Sequence, residues 1–352
     1  MNITYLIGAG ASFESLPIVN QIEPRLLEFS ELFKPYGLQE INSGIYFTQD
    51  SSNFSNSYLS KYEYKSDVFY EKYNLIKQIY DEIIWLHNES KNQSSIDTLA
   101  KKLFLQKDYK NLKRLKVIMS CFFYFCQTQS FDKRYDSFFA SILDNLDTIP
   151  KNIRIVSWNY DSQFEIAFKE FSKGTIDSAR KTLNTQINGV ENDFFDPNMF
   201  SIFKLNGMTS EKKGIFIDNF DYDKFKMMEE ILSVYDQEVY RSFESSMSFA
   251  WEYKNEDNNF FKNLFKSLKN TDLLVIVGYS FPFFNRKIDK DILDSMPELK
   301  KIYVQDPNNS EGIIQKIKSL IPKKKAYFDG ATRSIQYIPV TFADQFYIPV
   351  EF

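Results

Sequence analysis

The amino-acid sequence predicts an α/β fold, a parallel sheet with helices on both faces that carries a large helical insertion. Three observations predict it. Short, nearly unbroken apolar runs at Ile3–Ile7 (ITYLI), residues 154–158 (RIVSW) and Leu273–Val277 (LLVIV) have the length and composition of strands buried on both faces. These runs alternate with amphipathic helical segments, the arrangement of a sheet covered on both sides. From about Pro17 to Pro150 the pattern turns to helices alone.

Taken in order, the first strand ends at Gly8. In the helical stretch Tyr73, Ile76, Tyr80, Ile83 and Ile84 mark one amphipathic face, and residues 104–125 and 135–146 repeat that behaviour. The core resumes at Asn152 with strand 154–158, a loop through Asp161, and a helix from Ser162 to about Phe171, closed by Gly174. A strand near 201–205, the turn Asn206-Gly207, a short strand over 214–217 and helical pattern over 221–268 come next. After Leu273–Val277 come a helix over 288–293, a strand over 302–304 and a helix over 313–321. The domains predicted are thus a core of residues 1–20 and 150–352, interrupted by a helical insertion over 21–149.

Composition narrows the class. A chain of 352 residues with 43% hydrophobic and 26% charged residues has a globular balance, enough for one large domain or two ordinary ones. Low glycine and proline content argues against long structureless linkers. Lys and Arg number 43 against 47 Asp and Glu, a net charge of −4, so nucleic acid is not an expected partner. The nearest basic cluster, residues 323–325, reads as a solvated face. The start MNITYLIGAGAS lacks a basic segment and cleavage site, and no apolar run approaches a membrane span, so the expectation is a cytoplasmic protein. The two cysteines, Cys121 and Cys126, lie on one apolar helical segment, roughly 140° apart around its axis. Neither a disulfide nor a metal site is expected of them.

The loops after the strands hold the chemistry. Gly8-Ala9-Gly10-Ala11-Ser12 follows the first strand directly. In a Rossmann-like sheet that position faces the ligand crevice, where glycines let the backbone approach a pyrophosphate. The third glycine of the dinucleotide fingerprint would fall at Phe13 and is absent, and a tight strand-to-helix turn explains the same residues. In Ser157-Trp158-Asn159-Tyr160-Asp161 the Asn159 amide stands just past a strand, where it can hold a water or a ribose hydroxyl. Asp161 can orient a ribose or stabilise positive charge on it, or else cap the next helix. Phe203-Lys204-Leu205-Asn206-Gly207 also reads as a favoured tight turn, and Gly278-Tyr279-Ser280 as a strand-end turn with Ser280 capping the next segment. Asp306 ends a further strand, where acidic residues of dinucleotide sites meet an adenosine ribose.

In this order the loops resemble the sirtuin-like NAD-consuming family. GAGAS, with Pro17 beyond it, resembles the family's phosphate-binding loop, SWNYD the strand end with its catalytic asparagine, here Asn159, and GYS its glycine-serine ribose loop. The resemblance covers roughly residues 1–20 and 150–320. It implies NAD⁺ as substrate and a catalytic set of Asn159, Asp161 and Asn206, and together with the strand-end reading of Asp306 it gives a cofactor-binding set of Gly8, Ala9, Gly10, Ala11, Ser12, Gly278, Tyr279, Ser280 and Asp306. Two departures matter. Two cysteines cannot supply the four-cysteine zinc module of sirtuin deacylases, so the chain is more similar to the bacterial branch that hydrolyses NAD⁺ in antiphage defence. Asn206 also stands where the family has a histidine, and the chain's only histidine, His87, lies in the helical stretch and reads as structural. Asparagine takes up no proton near neutral pH, and losing a general base removes about 10²–10⁴-fold in rate.

Three accounts of Asn206 fit the sequence: an engineered replacement in an intact site, a natural residue in an enzyme driven by loss of cationic nicotinamide, or a site that binds without turnover. A defence hydrolase also needs a trigger. With no second sensor domain evident, the expectation is a homo-oligomer or a complex with a sensor subunit, and abundant aromatics (35 Phe, 22 Tyr) suit an interface. A conventional oxidoreductase shares the glycine loop but leaves SWNYD and KLNG unexplained. A non-catalytic NAD⁺- or ADP-ribose-binding subunit is the other alternative.

Overall fold

A computed structural model of the chain describes residues 1–35, 37–41, 44–47, 57–146, 148–190, 195–208, 211–212, 215–216, 223–240, 247–252, 259–322, 325–328 and 331–352. The chain divides into two compact units, one of Met1–Ile18, Ser130–Asp218 and Ser246–Phe352, the other of Val19–Gln129 and Asn219–Ser245.

The first unit is an α/β core with a seven-stranded, all-parallel sheet. Its strands, numbered in chain order, are β1 (Ile3–Ile7), β2 (Ile153–Ser157), β3 (Thr185–Ile187), β4 (Ser201–Lys204), β5 (Leu273–Val277), β6 (Lys301–Gln305) and β7 (Gln336–Val340). Their order across the sheet is β7-β6-β5-β1-β2-β4-β3. Alternate side chains enter two apolar layers. Leu6, Val156, Phe203, Ile276 and Val304 pack with the helices Asn259–Leu268, Arg286–Asp294 and Ser310–Leu320. Tyr5, Ile155, Ile202 and Val275 pack with Lys133–Ile142 and Gln163–Ser172. Burial of both faces is why β1, β2 and β5 are apolar at nearly every position. The fold is therefore the Rossmann-like one expected.

Register decides where the loops emerge. Ile7 pairs with Ser157 and with Val277, Val277 with Gln305, and Ser157 with Lys204. Five strands therefore end level, and the loops beginning at Gly8, Trp158, Leu205, Gly278 and Asp306 leave one carboxyl edge. The strand order reverses between β1 and β5, the position at which open α/β sheets take ligands.

The second unit is mainly helical. It holds Ile22–Phe33, a small hairpin of Leu38–Ile41 with Gly44–Phe47, then Asp67–Ser90, Ile96–Leu105, Tyr109–Gln129 and Lys224–Tyr240. Ser66 and Ser95 cap two of these helices by accepting from the N–H groups of Phe69 and Thr98, both at 3.1 Å. Cys121 and Cys126 are buried thiols on one helix. His87 is buried and its Nδ1 lies 3.2 Å from Glu23 Oε1. Whereas the chain order suggests one insertion over 21–149, the contacts group Lys133–Ile142 with the sheet and Lys224–Tyr240 with the helices. The physical reason is the same in each unit: Tyr135, Phe138 and Phe139 fill the layer over β1, while Thr128 and Gln129 meet Met227.

Of the short strand expected over 214–217, Ile215–Phe216 pairs with Glu211–Lys212, and Gly214 and Ile217 lie outside the described residues. Of the basic cluster at 323–325, Lys323 and Lys324 lie outside them too. No helix among the described residues is long and apolar enough to cross a membrane.

Candidate functional site

The β1 and β5 loops touch backbone to backbone. Gly10 N–H donates to Gly278 O at 2.9 Å, Gly8 N–H to Val277 O at 3.0 Å and Gly278 N–H to Gln305 O at 3.1 Å. A Cβ on Gly8 would lie 2.7 Å from Gly278 O, and one on Gly278 would lie 2.3 Å from Ala11 N. Gly278 also holds φ +59°, the left-handed region that glycine occupies at least cost. The two glycine motifs thus serve first to let the loops meet at the reversal point. Residues Ala9–Ser12 form a short 3₁₀ turn, in which Ala11 N–H bonds to Gly8 O at 2.9 Å. The N–H groups of Gly10 and Ala11 are therefore engaged inside the protein, and the loop is no open fan of amides for a phosphate. Ala9 is exposed and Gly10 half-buried.

Behind this turn lies a polar cluster that only the fold assembles. Asn159 Nδ2 donates to Gly8 O and to Ser12 Oγ, both at 3.0 Å. Ser12 Oγ donates to Asp161 Oδ2 at 2.7 Å. The Tyr135 hydroxyl lies 2.5 Å from Ser12 Oγ and must be the donor there, since the one Ser12 hydrogen is given to Asp161. Asp161 Oδ1 accepts from Gln163 N–H at 3.2 Å. Ser12, Asp161 and Tyr135 are each at most 1% exposed, and Asn159 is 6% exposed. Asp161 therefore supports the site from beneath: both its oxygens are bonded within the protein, one to Ser12 and one to the start of the following helix. Burial pushes its carboxyl above the usual range, with Lys204 pulling the other way.

Lys204, the last residue of β4, is fully buried. Its Nζ donates to the Asp161 carbonyl oxygen at 2.7 Å and lies 3.9 Å from Asp161 Oδ1 and 3.5 Å from Glu165 Oε2. Two residues on, the Asn206 side chain donates to Trp158 O at 2.9 Å, while its buried Oδ1 has no hydrogen-bond partner among the described residues. Asn206-Gly207 is the expected turn, with Gly207 at φ +72°.

Past β5, Tyr279 stacks on Trp158 with centroids 5.9 Å apart, and its hydroxyl lies within hydrogen-bond distance of both oxygens of Asp289, at 2.9 Å from each. Asn285 Nδ2 donates to the same hydroxyl at 2.9 Å. Burial pushes the Asp289 carboxyl up to about 8, against the opposing Tyr279 bond. Ser280 is exposed, and its carbonyl accepts from Lys316 Nζ at 2.7 Å. Asp306 Oδ1 accepts from the N–H groups of Asn308 and Asn309 at 2.9 and 2.7 Å, closing the turn ahead of the helix Ser310–Leu320.

Of the residues singled out in the sequence, Gly8, Gly10, Ala11, Ser12, Asn159, Asp161, Gly278 and Tyr279 form one connected assembly, joined to Asn206 through Trp158. Ser280 and Asp306 leave the same edge but make no bond to that cluster. Sequence reasoning alone does not reach Tyr135, Glu165, Arg134 or the role of Lys204. Arg134 Nη2 donates to Ala11 O at 2.7 Å, its guanidinium is paired with Asp132, and it lies 4.4 Å from the ring of Phe13. Only Lys204 carries a signal, a lysine between Phe203 and Leu205 at the end of a buried strand.

The fold and site together define an α/β chain with a polar, glycine-rooted cluster at the carboxyl edge of its sheet. Compared with known proteins, the chain matches no protein-family model and no curated protein sequence.

Proposed function

We propose that this chain is an NAD⁺ hydrolase that cleaves the bond between nicotinamide and ribose. The observation that carries the proposal is the Asn159 amide. Both its hydrogens are held, by Gly8 O and Ser12 Oγ, so its oxygen is the atom left to accept from a water or ribose hydroxyl. In the reaction the C–N bond breaks with its electron pair passing to the pyridinium, so nicotinamide leaves neutral and needs no proton. Water adds to the ribose carbon and its proton passes to solvent. Asp161 contributes by fixing Ser12 and, when ionised, by its field at the developing positive charge. Ala9 and Gly10 at the glycine turn, with Ser280 and Asp306 along the edge, are the groups proposed to meet the remainder of the dinucleotide. A role as an effector of bacterial antiphage defence rests on the sirtuin-like resemblance, as does a sensor partner or self-assembly as trigger.

Asn206 favours a second reading, a subunit that binds NAD⁺ or ADP-ribose without turnover. Its buried oxygen can accept a bond from a ligand but supplies no base. Calorimetric titration with NAD⁺ and ADP-ribose, run beside a nicotinamide-release assay on the wild type and Asn206→His, separates the two. Release by either form supports hydrolysis. Binding without release in both supports the binding subunit, and no binding at all contradicts both readings.

A further inference from the structure

We propose that Lys204 is the positioning residue of the site: by holding Asp161 as an anion, it keeps Ser12 turned so that the Asn159 amide oxygen faces outward. The proposal deepens the hydrolase reading and rests on it for its catalytic meaning.

The chain of contacts is continuous. Lys204 Nζ is bonded to the backbone oxygen of Asp161 and, among the described residues, is the only cation beside its carboxylate. Asp161 accepts the Ser12 hydrogen, and Ser12 Oγ then accepts from Tyr135 and Asn159. That oxygen is saturated, with one hydrogen donated and two accepted. A proton on Asp161 Oδ2 would reverse its bond to Ser12. Either the Ser12 hydrogen then turns to the Tyr135 oxygen and leaves the buried Tyr135 hydrogen without an acceptor among the described residues, or Tyr135 keeps donating and three donors converge on Ser12 Oγ, where the Asn159 bond, nearest the surface, gives way.

The other charged and titratable groups around Asp161 do not replace Lys204. Glu165, on the helix after β2, opposes ionisation of Asp161, and its Oε1 is taken by Thr185 at 3.3 Å. Tyr135 is neutral, its hydroxyl pushed up by burial first and by Asp161 next. Arg134 and Asp132 face Tyr135 and are spent on each other. A lysine this deeply buried is costly unless it has such work among carboxylates.

The test follows the side-chain amide of Asn159 by magnetic resonance in the full chain with isotopically labelled asparagine, its signal identified by loss in Asn159→Ala. In the wild type the amide is expected to stay protected, relative to a free asparagine side chain at the same pH, from mildly acidic to mildly basic conditions. In Lys204→Met, that protection is expected to fall about tenfold or more at neutral pH and to recover as pH rises and Asp161 ionises. Glu165→Gln, which leaves Lys204 to Asp161 alone, is expected to match the wild type. Should Lys204→Met fail to fold, Lys204→Met/Glu165→Gln removes one cation and one anion together and is read in the same way. In nicotinamide release, kcat should fall with the same pH signature and KM stay nearly constant. Wild-type exchange and pH behaviour in a folded variant lacking Lys204 overturns the proposal. A wild type that releases no nicotinamide removes the hydrolase reading instead, and the amide signal still judges Lys204.

Discussion

The strand ends of β2 and β5 leave one edge of the sheet, and behind each lies a buried carboxylate, Asp161 and Asp289. Their companions differ. Asp161 has the Lys204 ammonium close by, and its oxygens hold Ser12 and the next helix. Asp289 has neutral hydrogen-bond donation from Tyr279, itself held by Asn285. Burial raises both carboxyls, but only Asp161 has a cation countering it. The β2 side thus sets a cation against the burial of its carboxylate beneath Asn159, and the β5 side holds a loop in place by packing and neutral hydrogen bonds. On the proposed reading, chemistry belongs to the first side, whereas the second holds the close backbone contact with the β1 loop.

The largest effect expected on the β2 side comes from restoring a base. If the pocket is otherwise competent, Asn206→His should raise the rate of nicotinamide release by about 10²–10⁴-fold, measured at saturating NAD⁺. An unchanged rate with undiminished binding would move the account toward the binding subunit. On the β5 side Gly278→Ala should cost about 3 kcal/mol or more of stability in a denaturant titration, because a Cβ there meets backbone and sits at positive φ. Gly189→Ala is the control, with positive φ but open space around it, and should cost about 1 kcal/mol.

Asp289 gives the pH test of the contrast. Its folded pKa of about 8 lies above that of an unfolded aspartate, so the native state holds a proton the unfolded chain has lost. Stability from this group should fall as pH rises from about 4 toward 8, by about 1 kcal/mol per pH unit, and then level off. Asp289→Asn should flatten that slope, and a slope unchanged by the substitution would contradict the assignment. The smallest effect is at the next strand end. Asp306→Ala should cost about 1 kcal/mol through the lost bonds to the Asn308 and Asn309 N–H groups, and loss of NAD⁺ affinity in the same variant would show that its carboxylate also meets ligand.

Much of this is legible in the sequence, and the rest is not for identifiable reasons. β1, β2 and β5 declare themselves because burial on both faces leaves apolar runs ending in glycine or in the SWNYD loop. β3 is three residues, TQI, too short and polar to stand out. β7 carries Pro339 and is only partly buried, as an edge strand can be. The loops after β1, β2 and β5 stand out because glycine and asparagine at strand ends are local signals. Ser12–Tyr135 and Asp161–Lys204 span 123 and 43 residues, and no local pattern joins such partners. A buried lysine is also against expectation, since lysine is almost always solvated unless it is paired. Lys224–Tyr240 reads as part of the core from its place in the chain, whereas its packing partners lie about a hundred residues earlier.

The most direct measurement is nicotinamide release from NAD⁺ by the wild type and by Asn159→Ala, with melting temperatures recorded for both. The account predicts release by the wild type and a fall of about 10²-fold or more in the variant, whose fold should survive because the lost groups lie at the edge of the cluster. Equal NAD⁺ consumption by the two would contradict it.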